Sequence, residues 1–308
     1  MGLGAMGGVH ARVLRALESR YEITGGYDPR LDARTPDGVD RLGSDEEAIA
    51  RADVVVIASS IETHARLATR ALAAGRHVLV EKPICATAAE ASALVAAARV
   101  GVRLFVGHSE RFNPVVRVLA RLVGAEEVLR IDLLRVGRSR PGGACALVNL
   151  GVHDLDLAAY LGGGEVALQG AVGSAGDDTD EDFAHVLFST ASGGSGHVYV
   201  DGRSPIRERR IAMTTPRWVY HGDLLGHRLV RSTRTSSAKT DVPLPLEEPL
   251  LAQAIALADA LDGKGSRELA TGADGARAVQ LAERAFACFG SNGAASSSRF
   301  HGTPGQTR

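Results

Sequence analysis

The stretch G-R-H-V-L-V-E-K-P-I occupies residues 75–84. Four of its residues, 77–80, form a short apolar run rich in β-branched side chains, which is typical of a buried strand in a parallel sheet. Glu81 and Lys82 follow this strand directly, and Pro83 ends it. Because open α/β sheets bind ligands beyond the carboxyl ends of their strands, Lys82 is the first catalytic candidate. The alternative is that both charged side chains are simply solvated at a strand end.

Apolar runs of the same kind flank this strand, and helical patterns separate them. Residues 53–58 (D-V-V-V-I-A) and 102–106 predict two further strands. Residues 64–74 predict a helix, and the capping pattern T-x-x-E at residues 87–90 predicts the start of another. This alternation indicates an α/β domain of the Rossmann type, with a doubly wound parallel sheet that ends near residue 108.

The N-terminus reads M-G-L-G-A-M-G, so Gly2, Gly4 and Gly7 form the pattern G-x-G-x-x-G before a helical pattern that runs to Ser19. In dinucleotide-binding folds such glycines allow a tight turn, a close approach of the backbone to a pyrophosphate, and close helix packing. The phosphates then face the positive end of the helix. The pattern ordinarily follows a strand, which is missing before Met1. We therefore expect the natural start to lie upstream of Met1; a truncated product is the alternative.

An acidic residue follows the glycines at the distance that this motif requires. Residues 21–27 predict a strand that ends at Asp28. The Asp28 carboxylate would accept hydrogen bonds from the adenosine ribose and repel a 2′-phosphate, which favours NAD over NADP. Arg30 partly offsets that repulsion. The alternative for Asp28 is an acid in an ordinary D-P turn.

The composition is that of an ordinary globular protein: 308 residues, 45% hydrophobic, 23% charged, with a formal net charge of -1. This charge does not favour binding to nucleic acid or to membrane surfaces. Three cysteines lie far apart and outside any C-x-x-C spacing, which predicts free thiols in a reducing cytoplasm and no metal site. No apolar run is long enough for a membrane span, so we expect a cytoplasmic protein.

The region after residue 108 has a different pattern. Six short strands joined by turns are predicted at residues 128–136, 165–172, 183–190, 197–201, 209–213 and 217–221, and two helices at residues 249–261 and 274–289. We expect an α+β domain over residues 109–289 with a large, mostly antiparallel open sheet, through which the chain forms a homo-oligomer. Residues 290–308, rich in Gly, Ser and Thr, are predicted to be disordered.

A second catalytic candidate lies in the run A-L-V-N-L-G-V-H-D-L-D at residues 146–156. If a helix begins near Gly151, then Asn149 and His153 lie just before and inside its first turn. A histidine there can act as a general acid or base, because its pKa is close to neutral. The alternative for His153 is a hydrogen-bonded structural histidine.

Five motifs together resemble the Gfo/Idh/MocA family, named for glucose-fructose oxidoreductase and inositol dehydrogenase. They are G-L-G-A-M-G (2–7), A-S-S-I-E-T-H (58–64), A-G-R-H-V-L-V-E-K-P (74–83), G-H-S-E-R-F-N-P (107–114) and N-L-G-V-H-D-L-D (149–156). The resemblance implies hydride transfer between NAD(P) and a secondary hydroxyl or ketone of a sugar, cyclitol or nucleotide sugar. The E-R-F-N-P run also resembles UDP-N-acetylglucosamine 3-dehydrogenases; inositol 2-dehydrogenase activity is the alternative.

The resemblance also implies residue roles. His153 would remove the hydroxyl proton, while Lys82 hydrogen-bonds the same oxygen. Many family members have an aspartate where this chain has Asn149, whose amide can position a hydroxyl but cannot take a proton. Substrate contacts are implied for Lys82, Asn113, Asn149 and His153. Cofactor contacts are implied for Gly2, Leu3, Gly4, Ala5, Met6, Gly7, Asp28, Arg30, Ser59, Ser60, His64, Glu81, Lys82 and Arg111.

Several of these residues have structural alternatives. His64 can be a packing residue near a helix start. Arg111 and Asn113 can belong to a helix-starting N-P turn. Two other functional classes also remain open. The missing first strand favours a non-catalytic member of the family, while a reductase of imines or tetrapyrroles explains G-V-H-D-L-D less well.

Overall fold

The computed structural model describes residues 1–98, 100–123, 126–139, 144–174 and 182–289. The predicted disordered tail, residues 290–308, lies outside the described residues. The helices of the described chain are α1 (Ala5–Arg15), α2 (Asp45–Ala50), α3 (Ile61–Ala73), α4 (Ala88–Ala97), α5 (Pro114–Val123), α6 (Val152–Leu161), α7 (Pro249–Leu261) and α8 (Gly272–Ala287). The strands are β1 (Val54–Ile57), β2 (His77–Val80), β3 (Leu104–Val106), β4 (Arg130–Val136), β5 (Val166–Ser174), β6 (Phe183–Thr190), β7 (Ser195–Asp201), β8 (Glu208–Thr214), β9 (Trp218–Asp223), β10 (Arg228–Thr233) and β11 (Thr240–Asp241).

The chain forms two compact units. The first unit contains Met1–Phe112 and Glu248–Val279, and the second contains Asn113–Glu247 and Gln280–Arg308. The sequence predicts a second domain over residues 109–289, whereas in the structure residues 109–112 and 248–279 belong to the first unit. Helix α7 belongs to the first unit because its residue Leu257 is buried with Leu79 and Phe105 of the parallel sheet. Sequence patterns do not reveal which sheet an apolar helix covers.

The first unit contains a parallel sheet, as predicted. Its order is β1-β2-β3, with Val54 opposite His77 and Val78 opposite Leu104. Strand β2 has the predicted bounds, and its apolar side chains are almost completely buried, as the continuous apolar run indicates. The T-x-x-E capping box of α4 also forms: Thr87 accepts from the Glu90 amide, and the Glu90 side chain accepts from the Thr87 amide. The Rossmann-type arrangement therefore follows from locally encoded strands and helix starts.

The strand predicted at residues 21–27 does not form. This segment contains only one isolated bridge, between Gly26 and Arg41. A cavity of about 520 Å³ lies between its backbone and β1, lined by residues 22–26 and 53–56 among others. An extended segment becomes a strand only when another strand lies beside it to complete the hydrogen bonds. The prediction was wrong because that neighbour is not in place.

Met1 and Gly2 occupy one end of the same gap. The Met1 amino group donates to the Val56 carbonyl at 2.5 Å, and the Met1 carbonyl accepts from the Ala58 amide at 2.8 Å. On the other side, the Gly2 amide donates to the Tyr27 carbonyl at 2.8 Å. Burial lowers the pKa of the Met1 amino group from 8.0 to about 6. These contacts place the glycine turn at the carboxyl ends of the strands.

The second unit contains an eight-stranded sheet in the order β11-β10-β9-β8-β4-β7-β6-β5. Neighbouring strands are antiparallel except β4 and β7, which run parallel, so the predicted mostly antiparallel sheet is confirmed. Strands β10 and β11 were not predicted. Helices α5 and α6 cover one face, where Leu119 and Leu155 join Leu133 and Val198 in the core. His153, the second catalytic candidate, is in α6 and therefore lies on this covered side of the sheet.

The other sheet face carries side chains that the second unit does not bury. His185 stacks on Tyr199 with ring centroids 4.3 Å apart, while Val172 is 62% and Leu187 is 55% exposed. His197 approaches Asp132 at 2.8 Å on the same sheet. No helix in the described residues is long and apolar enough to cross a lipid bilayer.

Candidate active site

The glycine turn leaves no room for a side chain at Gly2 or Gly7. Gly2 has a φ of +86°, and a Cβ at Gly2 would lie 2.5 Å from the Ser59 amide nitrogen. A Cβ at Gly7 would overlap the Gly2 carbonyl oxygen. Helix α1 begins directly after Gly4, which is its N-cap, and no side chain caps the helix N-terminus. The first-turn amides and the positive end of the helix can therefore bind an anion such as a pyrophosphate.

Asp28 lies beside this turn. Its Oδ2 accepts from the Leu3 amide at 2.9 Å, and its Oδ1 accepts from the Arg30 amide at 3.0 Å and from Arg30 Nε at 3.3 Å. Burial opposes ionisation of Asp28, but hydrogen bonds from Arg30 and Leu3 outweigh it and lower the pKa of the carboxyl group. The Arg30 side chain is 65% exposed. A carboxylate for a ribose and a cation for a 2′-phosphate thus lie together.

The segment after β2 holds Lys82 in a buried setting. Glu81, Pro83, Ile84 and Cys85 are buried, and Lys82 alone among these five is partly exposed. The Lys82–Pro83 peptide bond is cis. Lysine is scarce in this protein: the chain has only Lys82, Lys239 and Lys264, and the other two are exposed. This one partly buried amine is therefore chemically distinct in the chain.

The Glu81 carboxylate points into the first unit. Its Oε1 lies 2.8 Å from His10 Nε2, and its Oε2 accepts from the Lys82 amide at 3.2 Å. A Cβ at Gly107 would lie 2.9 Å from Glu81 Oε1, so the carboxylate also packs against backbone. Burial alone would raise the pKa of Glu81, but His10 and the Lys82 amide lower it below its usual value. An ionised Glu81 is an acceptor only, so His10 Nε2 donates this hydrogen bond.

The predicted residues after β1 lie at the start of α3. The Ser59 hydroxyl is 2.6 Å from the Thr63 hydroxyl, and Ser60 is the N-cap residue of α3 without a side-chain capping bond. His64 is 2% exposed, with Nδ1 2.9 Å from the Pro83 carbonyl oxygen and Nε2 3.1 Å from the Ser59 carbonyl oxygen. Both ring nitrogens thus face backbone carbonyls of the first unit. This geometry favours the packing alternative for His64 over a cofactor contact.

Arg111 and Asn113 are both almost completely buried. Arg111 lies in the 3₁₀ helix Ser109–Phe112, and its Nη1 is 3.5 Å from Asp274 Oδ2. Asn113 belongs to the second unit, where its Nδ2 donates to the Leu224 carbonyl at 2.9 Å and its Oδ1 accepts from the Val115 amide at 3.1 Å. Asn113 therefore caps the start of α5, in keeping with the helix-starting turn.

In the second unit, α6 presents the other catalytic candidate. A π-helical turn, Leu147–Gly151, precedes α6 and contains Asn149, which is partly exposed. His153 is in the first turn of α6, where the sequence predicted it, and is partly exposed between two buried neighbours. A π-helical turn often marks a functional site, because it displaces side chains from regular helical positions.

The residue after His153 anchors this helix. Asp154 accepts from Arg135 Nε at 3.0 Å and from Arg135 Nη2 at 2.8 Å, and both side chains are at most 2% exposed. This bidentate pair joins α6 to β4 inside the second unit. Sequence analysis missed it, although Arg135 continues the inward-facing series of Ile131 and Leu133. A cation at a core position of a strand indicates a buried anionic partner.

His10 was also missed. It lies one helical turn after Gly7, on the buried side of α1. A polar side chain on the buried side of an otherwise apolar helix indicates a buried hydrogen-bond partner. The identity of that partner could not be predicted, because Glu81 is 71 residues away in the chain.

These arrangements fit a dinucleotide in the first unit. The glycine turn and α1 can receive the phosphates, Asp28 can accept from a ribose, and Lys82 provides an amine beyond the end of β2. Among the described residues, no group of three or more His, Cys, Asp or Glu could hold a metal ion.

Comparison with known proteins agrees with this geometry. A profile of the oxidoreductase family Gfo/Idh/MocA, with an NAD-binding Rossmann fold, matches residues 1–108, and a profile of the family's C-terminal domain matches residues 134–223. The chain is 28% identical to UDP-N-acetylglucosamine 3-dehydrogenase of Acidithiobacillus ferrooxidans over an alignment of 219 positions; the match covers 68% of this chain and 69% of that protein. It is 29% identical to myo-inositol 2-dehydrogenase of Thermotoga maritima over an alignment of 226 positions; the match covers 64% of this chain and 66% of that protein.

Solved structures show the same fold. The UDP-N-acetylglucosamine 3-dehydrogenase from Acidithiobacillus ferrooxidans superposes with a TM-score of 0.82 at 24% identity, covering 94% of this chain and 95% of that chain. Levoglucosan dehydrogenase in complex with NADH and levoglucosan superposes with a TM-score of 0.81 at 18% identity, covering 93% of this chain and 95% of that chain. The chain belongs to the Gfo/Idh/MocA family of oxidoreductases, as its motifs predicted.

Proposed function

We propose that this protein is an NAD(P)-dependent dehydrogenase that transfers a hydride between nicotinamide and a secondary hydroxyl or ketone of a sugar, cyclitol or nucleotide sugar. The observation that carries the proposal is the placement of Lys82. This amine is the partly exposed residue in a buried segment at the end of a parallel strand, in the same unit as an uncapped glycine-rich helix N-terminus.

The chain's residues supply binding and proton chemistry; NAD, when bound, would supply the hydride acceptor, C4 of its nicotinamide ring. In the oxidative direction, His153 takes the proton from the substrate hydroxyl through a ring nitrogen. Lys82 donates a hydrogen bond to the same oxygen and stabilises the negative charge that develops there. Proton transfer of this kind contributes about 10²- to 10⁴-fold in rate. The Asn149 amide orients the hydroxyl or the imidazole, since it cannot accept a proton at neutral pH.

We propose NAD as the preferred cofactor. The first-unit residues that hold it are Gly2 to Gly7 around the pyrophosphate, Asp28 at the adenosine ribose, and Ser59 and Ser60 after β1. The ionised Asp28 carboxylate repels a 2′-phosphate, while the exposed Arg30 guanidinium next to it attracts one. We therefore expect tighter binding of NADH than of NADPH, with a difference that grows when Arg30 is replaced by alanine. Equal affinities in both proteins would contradict this preference.

The substrate that we propose is UDP-N-acetylglucosamine, oxidised at its 3-hydroxyl. Support comes from the relative of that name, which matches this chain over about two thirds of its length. Inositol is the second candidate, because the myo-inositol 2-dehydrogenase relative is as similar in sequence.

We further propose that the chain forms homo-oligomers through the exposed face of the large sheet, where Val172 and Leu187 are uncovered. Light scattering coupled to size exclusion should give at least a dimer, and Leu187→Glu should shift it towards a monomer. The buried free thiols of Cys85 and Cys145 are compatible with the reducing cytoplasm.

The experiment for the proposed function measures NADH formation by absorbance with UDP-N-acetylglucosamine and with myo-inositol. Lys82→Met and His153→Asn should each lower kcat by about 10²-fold or more, with little change in NADH affinity. Lys264→Met is the matched control, because Lys264 is exposed on the first unit. If the folded protein binds NADH but oxidises no sugar or cyclitol, the dehydrogenase proposal fails and a non-catalytic role replaces it.

A further inference from the structure

Two buried histidines contact the residues on either side of Lys82. His10 reaches Glu81, the residue before the lysine, with Nε2 and Oε1 2.8 Å apart. His64 reaches Pro83, the residue after the lysine, with Nδ1 2.9 Å from the carbonyl oxygen. Both histidines are less than a tenth exposed. The residue before the lysine is therefore held through its side chain and the residue after it through its backbone, both by side chains of the first unit.

The two contacts come from elements with different tasks. His10 is in the second turn of α1, and the first turn of this helix continues the glycine turn. His64 is in the first turn of α3, and its Nε2 lies 3.1 Å from the Ser59 carbonyl, at the end of β1. The His10–Glu81 contact thus joins the proposed pyrophosphate helix to the segment that carries the amine. The His64 contacts join the neighbouring strand end to that same segment.

Each contact depends on one specific hydrogen-bonding group. Glu81 is buried, and its charge is stabilised by His10 and by the Lys82 amide, so losing His10 leaves a buried carboxylate with a single amide donor among these contacts. His64 is buried, which lowers its pKa, so the ring is neutral and only one of its two nitrogens, set by the tautomer, donates to the carbonyl that it faces. His10 Nε2 and both ring nitrogens of His64 lie within hydrogen-bond distance of groups of the first unit. Their contacts are with the chain itself.

We propose that His10 and His64 are positioning residues for Lys82, which fix its amine relative to the glycine turn (Gly2–Gly7) before α1. This inference rests on the proposed function, because that function makes Lys82 the hydrogen-bond donor to the reacting oxygen. A displacement of about 1 Å at a reacting group can cost about 10²-fold in rate. Loss of either histidine should therefore lower kcat far more than it weakens NADH binding or raises the KM for substrate.

The test uses the small number of lysines. Reductive methylation with ¹³C-formaldehyde labels Lys82, Lys239 and Lys264 together with the N-terminus, and Lys82→Arg assigns the Lys82 methyl signal. In His10→Leu and His64→Leu, the Lys82 signal should shift or broaden while the signals of the two exposed lysines stay in place. On unmethylated protein with UDP-N-acetylglucosamine, kcat should fall by about 10²-fold. His10→Gln, which restores a donor for Glu81, should recover most of both readouts.

His77→Leu is the matched control. His77 makes a comparable contact, accepting from the Arg103 amide at 3.0 Å, but at the opposite end of β2 from Lys82. Its loss should leave the Lys82 signal and kcat unchanged. A purely structural role for His10 would instead affect His10→Leu and His77→Leu alike, through stability alone.

Glu81→Gln covers the case in which His10→Leu does not fold. It should reproduce the loss in kcat, and adding His10→Leu to it should cause little further loss, because both changes disrupt one contact. Additive losses, or a folded His10→Leu with an unchanged Lys82 signal, would overturn the proposal. If the wild-type protein turns over no substrate, the proposed function fails, and the methyl signal alone decides whether the histidines position Lys82.

Discussion

The buried pair of Arg135 and Asp154 gives the sharpest stability prediction. Asp154→Asn removes the carboxylate charge while keeping the side-chain size, and leaves the Arg135 guanidinium buried without its counter-ion. Because both side chains are at most 2% exposed, solvent does not screen this pair. Breaking a buried pair from one side costs about 3–5 kcal/mol. Arg135→Met should cost a similar amount, since it leaves the carboxylate buried instead.

The double variant Asp154→Asn/Arg135→Met separates the contribution of the ion pair to the free energy of unfolding from the cost of leaving one charge buried without its partner. With both charges removed, the remaining loss is about 1–3 kcal/mol, the usual cost of a poorly satisfied buried polar group. The double variant should therefore be more stable than either single variant. Asp241→Asn is the control, because the Arg228–Asp241 pair lies in the same sheet with both side chains more than 70% exposed. Removal of an exposed pair should cost less than about 1 kcal/mol.

Urea unfolding followed by tryptophan fluorescence is the suitable assay. The chain has a single tryptophan, Trp218, which lies in β9 of the same sheet, so its emission reports on the second unit. With a typical urea dependence of about 2 kcal/mol per molar, Asp154→Asn should lower the midpoint by roughly 1.5–2.5 M. A shift no larger than that of Asp241→Asn, or a double variant as unstable as the sum of the singles, would refute the reasoning.

Three further predictions concern the first unit and the thiols. Because burial lowers the pKa of the Met1 amino group from 8.0 to about 6, the unfolded chain binds more protons between these values; the free energy of unfolding should rise by about 2 kcal/mol from pH 6 to pH 8, and N-terminal acetylation should abolish this rise in urea titrations. Gly7→Ala should weaken NADH binding by at least about tenfold in fluorescence titrations, since the added Cβ overlaps the Gly2 carbonyl and displaces the turn; Gly8→Ala, where a Cβ meets no neighbour, should bind normally. Burial raises the pKa of the Cys85 and Cys145 thiols to about 12, so a thiol reagent should modify only Cys288 in the folded protein, as peptide mass spectrometry can show.

Much of the fold follows from local sequence. The bounds of β2 and of α7 agree with the predictions, and the capping box of α4 forms as expected. In each case the signal lies within about one strand or one helical turn. The sequence likewise marked Lys82 and His153 as candidates, because a charged or titratable group at a strand end or helix start is visible without knowledge of its neighbours.

Tertiary structure decided what depends on distant partners. Residues 21–27 have a strand-like composition but form no strand, because strand formation requires a neighbouring backbone that composition cannot supply. Helix α7 joins the first unit because of the apolar surface available there. The His10–Glu81 and Arg135–Asp154 contacts join residues 71 and 19 positions apart. Periodicity reports which face of an element is buried, whereas the partner that buries it is fixed only when the whole chain packs.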